Sequence, residues 1–302
     1  MMLSAVISTY NRAESLKRTL ESVRKLADEI IVVDNESSDD TVKVAKQYGA
    51  TVYGRKNNMM LNVNKNYGFS RASGDWILCL DDDEVIPKDL ADEIHSALSD
   101  CGEDTAGFWI ARKNIIFGKW IRHGIWWPDR QLRLFRRGKG IFPQKHVHEY
   151  IEVEGSVHTL THPFVHYNYD SLAQYLSKMQ NIYTDSEVDK YVSAGYKIQW
   201  VDALRFPLSD FLKLYFAQNG YRDGLHGLVL AGLQAFYSFI IFIKLWEREK
   251  FPETDIQYED IAKEIGKAKK ETAYWTASIA SENADNGISR IWYRVLRRFS
   301  RP

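Results

Sequence analysis

Short, unbroken apolar runs alternate with helix-periodic stretches over the first hundred residues. Leu3–Ser8 (LSAVIS), Glu29–Asp34 (EIIVVD), Ala50–Tyr53 and Trp76–Leu80 (WILCL) read as strands. Ala13–Ala27, Asp40–Tyr48, Asn62–Ala72 and a segment from Pro87 to about Ser99 read as helices, with Pro87 well placed in a first turn. Runs apolar at every position need cover on both faces, so the pattern predicts βαβ units and a parallel sheet. After Gly102 the pattern changes. Ala106–Arg112, Gln131–Phe135, Val147–Val153 and Val157–Val165 look like strands joined by irregular loops. From about Ser171 the chain is helix-periodic: Ser171–Val192, Pro207–Gln218, Gly224–Arg248, Asp255–Ser281 and Ile288–Phe299. The expected architecture is α/β, a mixed but mainly parallel sheet with helices on both faces, followed by a C-terminal helical extension. Its expected parts are residues 1–100, residues 101–170 completing the same sheet, and the extension, residues 171–302.

Composition adds little until it is resolved along the chain. Lys plus Arg and Asp plus Glu are both 40, so the average charge of the 302 residues points to no partner. The distribution does: Arg112–Lys145 holds ten Lys or Arg against one acid, Asp129, and Ser289–Pro302 holds five Arg and no acid. Such local surfaces suit anionic substrates or anionic lipid. Two Cys, Cys79 and Cys101, make no disulfide framework, and the first residues lack the basic-then-apolar pattern of a signal peptide. A reducing, cytoplasmic setting is expected.

Ligands of open parallel sheets sit outside the carboxyl ends of the strands. Three polar clusters fall there: Ser8–Arg12, Asp34–Asp40 and Asp81–Glu84. Each alone reads as an ordinary helix cap or a solvated acidic loop. Their conjunction at one edge points to a pocket for a metal and a nucleotide. Gly-rich dinucleotide and P-loop fingerprints are missing, so hydride transfer and NTP hydrolysis lose their usual support.

The ordered set VISTYNR, IIVVDNESSDDT, Asn66-Tyr67-Gly68 and GDWILCLDDDE resembles family 2 glycosyltransferases of the GT-A fold. The resemblance implies that Asp81 and Asp83 hold a divalent cation, Mg²⁺ or Mn²⁺, bridging the diphosphate of a UDP-sugar donor, with Asp82 between them. It places Thr9, Asn11, Arg12 and Asp34 around base and ribose, Asp34 accepting from uracil N3, and Arg71 and Asp75 near the diphosphate and ribose. Glu84 would cap the next helix or reach toward the donor sugar. The chemistry agrees, because hard cations take oxygen ligands from one or two carboxylates and from substrate phosphates.

The basic segment Trp126–Tyr150 resembles the bacterial cell-envelope branch through Arg133, Leu134, Phe135, Arg136, Gly138, Phe142, His148 and Glu149. That resemblance implies Glu149 as the base of an inverting transfer, His148 positioning sugar or diphosphate, and Arg133 and Arg136 on phosphate. The plainer reading of Glu149 is a cross-strand partner of an Arg; Asp129 is the second candidate base. No nucleic-acid partner is expected, since the rest of the chain is not basic. His158, His162 and His166 share one face of an unbroken strand, but Pro163 argues for a break, and structural or acceptor-side roles are expected.

From His166 to about Trp246 the chain resembles enzymes that add glucose to the lipopolysaccharide inner core, implying a lipid-linked saccharide acceptor. A transferase acting on a polyprenyl-diphosphate glycan or a protein, or a silent sugar-binding protein of this fold, stays open as an alternative. Leu225–Trp246 is just long enough to span a bilayer, but His226, Gln234 and Lys244 interrupt it. It reads as interfacial, buried or spanning, in that order. FPLSDFLKLYF and ISRIWYRVLRRFSRP suit an interfacial anchor on an anionic membrane surface, peripheral to the inner face of the cytoplasmic membrane.

Overall fold

The computed structural model describes all residues except 58–60, 145–148, 181–183 and 301–302. The chain divides into two units: Met1–Trp120 with Trp126–Asp170, and Ile121–Ile125 with Ser171–Pro302.

The first unit is built on β1 (Leu3–Thr9), β2 (Glu29–Asp34), β3 (Thr51–Gly54) and β4 (Trp76–Asp81), all parallel, in the order β3-β2-β1-β4. The sheet continues through β8 (Asp129–Arg136), which is antiparallel to β4 and to β6 (Thr105–Ile116). Beyond β6 come β12 (Phe164–Tyr169), parallel to it, and the two-residue β5 (Glu84–Val85). Alternate strand residues face two separate cores. Leu3, Ala5, Ile7, Trp76, Leu78 and Leu80 pack with Leu16 and Leu20 of α1 (Ala13–Val23) and Leu90 and Ile94 of α4 (Lys88–Asp100). Val6, Ile31, Val33, Ile77 and Cys79 pack on the other face with Phe69 of α3 (Leu61–Arg71), Phe135 and Phe142. The mainly parallel α/β sheet covered on both faces is therefore as expected, and Cys79 is simply core.

The structure differs from the expected elements in three places. The expected strand Val157–Val165 is two, β11 (Ser156–Thr159) and β12, interrupted around Pro163, which has no N–H for a ladder. Of Val147–Val153, only Glu152–Val153 is a strand among the described residues. The helix expected from Pro207 begins at Asp202 as α7 (Asp202–Leu212), whose first turn is secured by Asp202 accepting from Gln199 N (2.8 Å) and Tyr196 Oη (3.0 Å).

The second unit contains α5 (Leu172–Lys178), α6 (Thr184–Ser193), α7, α8 (Leu225–Arg248), α9 (Tyr258–Glu282) and α10 (Gly287–Phe299). Val188 of α6 and Ile241 and Leu245 of α8 form a core with Tyr191, Phe206 and Tyr237. The α8 polar groups are used inside the unit: Ser238 donates to Asp210 of α7, and Lys244 pairs with Asp185 at 2.6 Å. Among the described residues α8 is the one helix long and apolar enough to cross a membrane.

Close approach of α3 to the sheet depends on Gly68. A Cβ there would lie 2.5 Å from Val6 Cγ1 and 3.0 Å from Val33 Cγ2, both side chains being buried. Gly68→Ala should gain about 1 kcal/mol of helix propensity yet lower net stability by about 1–3 kcal/mol through overpacking. Urea unfolding tests this; an unchanged or higher midpoint would mean that the two valines yield.

Candidate active site

Strand register brings the three polar clusters together. Thr9 is the partner of Asp34 across β1 and β2, and Ser8 is the partner of Asp81 across β1 and β4. The strand ends thus converge on one edge, and α3 starts above them. Asn35 bonds Ser8 Oγ (3.0 Å), Thr9 O (2.8 Å) and Asn64 of α3, tying helix and strands at that point.

The acidic turn after β4 splits into two pairs. Asp81 faces Lys65 Nζ and Arg133, each at 2.5 Å, and Arg133 also reaches Glu84 at 2.6 Å. Glu84 is fully buried and accepts from Asp81 N (2.9 Å), so it neither caps α4 nor faces solvent. Burial pushes the Asp81 carboxyl up, but Lys65 and Arg133 outweigh it and hold the group well below the usual carboxylate range. Glu84, more deeply buried, is raised despite Arg133.

Asp82 and Asp83 form the second pair. Thr9 Oγ1 donates to Asp82 at 2.7 Å, and Arg12 lies 3.6 Å from Asp82 and 3.3 Å from Asp83. Burial, then the charge of Asp83, pushes the Asp82 carboxyl up to about 7. The opposite wall of Asp83 is His166, whose Nε2 stands 3.3 Å from Asp83 Oδ1. β12 puts it there through its pairing with Glu84 on β5 and Asn114 on β6. Asn114 Nδ2 donates to Trp126 O (2.9 Å), leaving Asn114 Oδ1 to accept from His166 Nδ1 (2.7 Å). Nε2 therefore faces the Asp83 carboxylate, and a hydrogen-bonded far nitrogen is the usual setting of a metal-binding histidine. Among the described residues no three His, Cys, Asp or Glu are grouped to hold a metal by themselves. Asp83 and His166 fit a cation whose other ligands come from substrate.

Asp34 is buried, accepts from Ser37 N at 3.1 Å through Oδ2, and leaves Oδ1 buried without a partner. Such an orphan acceptor is costly unless a ligand donates to it. Asn11, at φ 50°, accepts from Ser38 N (2.7 Å) and shapes the loop beside it. Glu149 accepts from Gln144 N (2.8 Å) and from Asn62 Nδ2 (3.3 Å), one helical turn before Lys65 on α3. Asp129 is engaged by Arg112 and by Gln131 at 2.7 Å, as an anchor of β6 and β8.

Two expected phosphate contacts lie elsewhere. Arg136 pairs with Trp76 at the opposite end of β4, donating to Thr105 O and Gly102 O. RLFR crosses the sheet along a single strand, so Arg133 reaches the acidic turn while Arg136, about 10 Å further on, does not. Arg71, at the last turn of α3, lies over the rings of Tyr53 and Tyr67, and Asp75 accepts from Met2 N before β4 begins. His148 lies outside the described residues. Lys65, Asn114 and His166 were not singled out as site residues by sequence. Of the three histidines, His158 packs on Phe108, and His162 pairs with Glu93.

A mainly parallel sheet with an acidic turn at the end of its fourth strand, beside a β-rich second half, is an architecture of the GT-A kind. The chain belongs to glycosyl transferase family 2, whose match spans residues 4–153. Similar proteins include an uncharacterized glycosyltransferase of Rickettsia felis, 28% identical over 81% of this chain and 89% of its own length. The lipopolysaccharide core biosynthesis glycosyltransferase LpsC of Rhizobium meliloti is 28% identical over 82% of this chain and 92% of its own. Among solved structures, S. aureus TarS 1-349 with UDP-GlcNAc aligns over 85% of this chain and 95% of that one, at 14% identity and TM-score 0.46.

Arg133→Met should leave Glu84 and Asp81 short of their shared cation and cost about 3–5 kcal/mol of stability. Chemical denaturation measures it, and Arg133→Met with Glu84→Gln should recover part of the loss. A double variant no more stable than the single one would refute the shared-cation account.

Proposed function

We infer that this glycosyltransferase moves a hexose, glucose foremost, from a UDP-sugar to a lipid-linked saccharide of the cell envelope, of the lipopolysaccharide-core class, with inversion at the anomeric carbon. The observation that carries the donor half is the facing pair Asp83 Oδ1 and His166 Nε2, one strand end away from the unpartnered Asp34 Oδ1. Asp34 suits an imide N–H of a pyrimidine base, and Thr9, Asn11 and Arg12 line the loop that a ribose would meet. Asp83 and His166, with Asp81 and Asp82 behind them, would hold Mg²⁺ or Mn²⁺. When bound, that cation neutralises the charge that develops on the departing diphosphate.

The remaining steps belong to side chains. Glu149 takes the proton of the acceptor hydroxyl as the new C–O bond forms at the anomeric carbon and the bond to the diphosphate oxygen breaks. Asn62 and Gln144 N hold that carboxylate in place. Among the described residues Arg12, partly exposed beside Asp82 and Asp83, is the cation of the cluster placed to follow the leaving phosphate. Similarity to LpsC over most of both chains supports the acceptor class and, with it, work at the inner face of the cytoplasmic membrane.

Thermal stabilisation by UDP-, GDP- and dTDP-sugars, with and without Mn²⁺, tests the donor half through the stabilisation that binding confers. A UDP-sugar shift that needs Mn²⁺ is expected, with the Mn²⁺-dependent part lost in Asp83→Asn and His166→Ala. Shifts independent of metal in all three proteins would remove the cation from the site. Glu149→Gln should keep the donor shift while turnover falls by about 10²–10⁴-fold. Unimpaired turnover would disqualify Glu149 as the base. A wild type that transfers nothing from any of these donors would favour a silent sugar-binding protein. Transfer to a polyprenyl-diphosphate glycan or a protein, and not to lipopolysaccharide core, would replace the acceptor assignment.

A further inference from the structure

The helix α10 packs beside α9 yet has no fully buried side chain. Asn286 caps its start, accepting from Ser289 N at 2.8 Å. At about 100° per residue its side chains sort into three sectors. Ser289, Tyr293 and Ser300 are half-buried and form the stripe of least exposure. Ile288, Ile291, Trp292, Val295 and Phe299 fill a second arc and are open to solvent, Ile288 by 84% and Phe299 by 82%. Arg290, Arg294, Arg297 and Arg298 fill the third, all exposed. No Asp or Glu occurs from Gly287 to Pro302.

A contiguous apolar face of this kind demands cover, and its charge decides which. A second copy seated face to face would bring two arginine arcs together with no acid between them. A zwitterionic bilayer would cover the apolar arc but has no net charge to attract the arginines. Anionic lipid satisfies both: acyl chains take the isoleucines and Phe299, Trp292 sits at headgroup depth, and the arginine stems lie along the surface with their guanidinium groups on phosphate. The other basic-aromatic segment of the extension is already occupied. Phe206 of α7 packs in the α6–α8 core, Leu212 is buried, and Asp210 binds Ser238.

We propose that α10 is an interfacial anchor that lies flat on an anionic bilayer through Ile288, Ile291, Trp292, Val295 and Phe299. The proposal stands on α10 alone and goes beyond the assignment of donor and acceptor, adding how the enzyme is held where lipid-linked acceptors reside.

Flotation of the full chain with phosphatidylcholine vesicles, with and without phosphatidylglycerol, tests it. The wild type should float with the phosphatidylglycerol vesicles at low salt and be released as salt is raised. Ile291→Glu with Trp292→Glu, and separately Arg294→Glu with Arg297→Glu, should each weaken binding by about tenfold or more. These side chains are exposed, so melting temperature and the UDP-sugar shift should match wild type, which separates failure of the anchor from failure of the donor assignment. Equal binding by wild type and both variants, or equal binding with and without phosphatidylglycerol, would overturn the proposal. So would a dimer in sedimentation that Ile291→Glu with Trp292→Glu dissolves while no vesicle is bound.

Discussion

The buried bridge from Arg133 to Asp81 and Glu84 is the constraint on which the first unit depends. Four consecutive carboxylates at a strand end repel one another, and burial in a low-dielectric edge multiplies the repulsion. Arg133 and Lys65 neutralise the outer two, Asp81 and Glu84, and fix the turn between them. This needs a strand from the second half of the sheet to run antiparallel beside β4, which β8 does. The basic, β-rich half is therefore a structural requirement of the acidic turn. Arg133, named from its motif as a phosphate contact, sits instead as the counter-ion that lets the acidic turn exist.

What remains of the charge is the functional residue of that balance. Among the described residues Lys65 and Arg133 engage Asp81 and Glu84, while Arg12 stands 3.6 Å from Asp82 and 3.3 Å from Asp83. Burial, then the charge of Asp83, pushes Asp82 up to about 7. Lys65 and Arg133 hold the outer pair, and the inner pair faces Arg12 and His166. Site and scaffold use the same four residues, divided by which cations reach them.

The sheet was legible because its strands are apolar at every position, a pattern that only a doubly covered parallel sheet explains. The edge cluster was legible for the same reason, since strand ends in such sheets meet ligands. His166 and Asn114 were not, because they are 83 and 31 residues from Asp83 and reach it only through the pairings of β12 with β5 and β6. Three evenly spaced histidines drew attention as a set, whereas the break at Pro163 sends them to three different neighbours. Arg133 and Arg136 share one motif but stand at different depths along β8. Local spacing reads faces of an element; it does not read which end of the sheet an element's residues reach.

The same limit governs the helical extension. Hydropathy over α8 is that of a membrane span, yet Ser238, Lys244 and Arg248 each find a partner on α6 or α7. A lone span in hydrocarbon would leave such groups with nothing to bond, so the partners argue for a helix shaped by its protein neighbours. α10 is the converse case: shorter, less apolar on average, and bare along one face. Mean hydropathy averages over both faces of a helix, whereas surface attachment depends on which side chains stay uncovered after folding. Both helices keep exposed apolar residues, and of the two α10 alone borders them with a row of arginines.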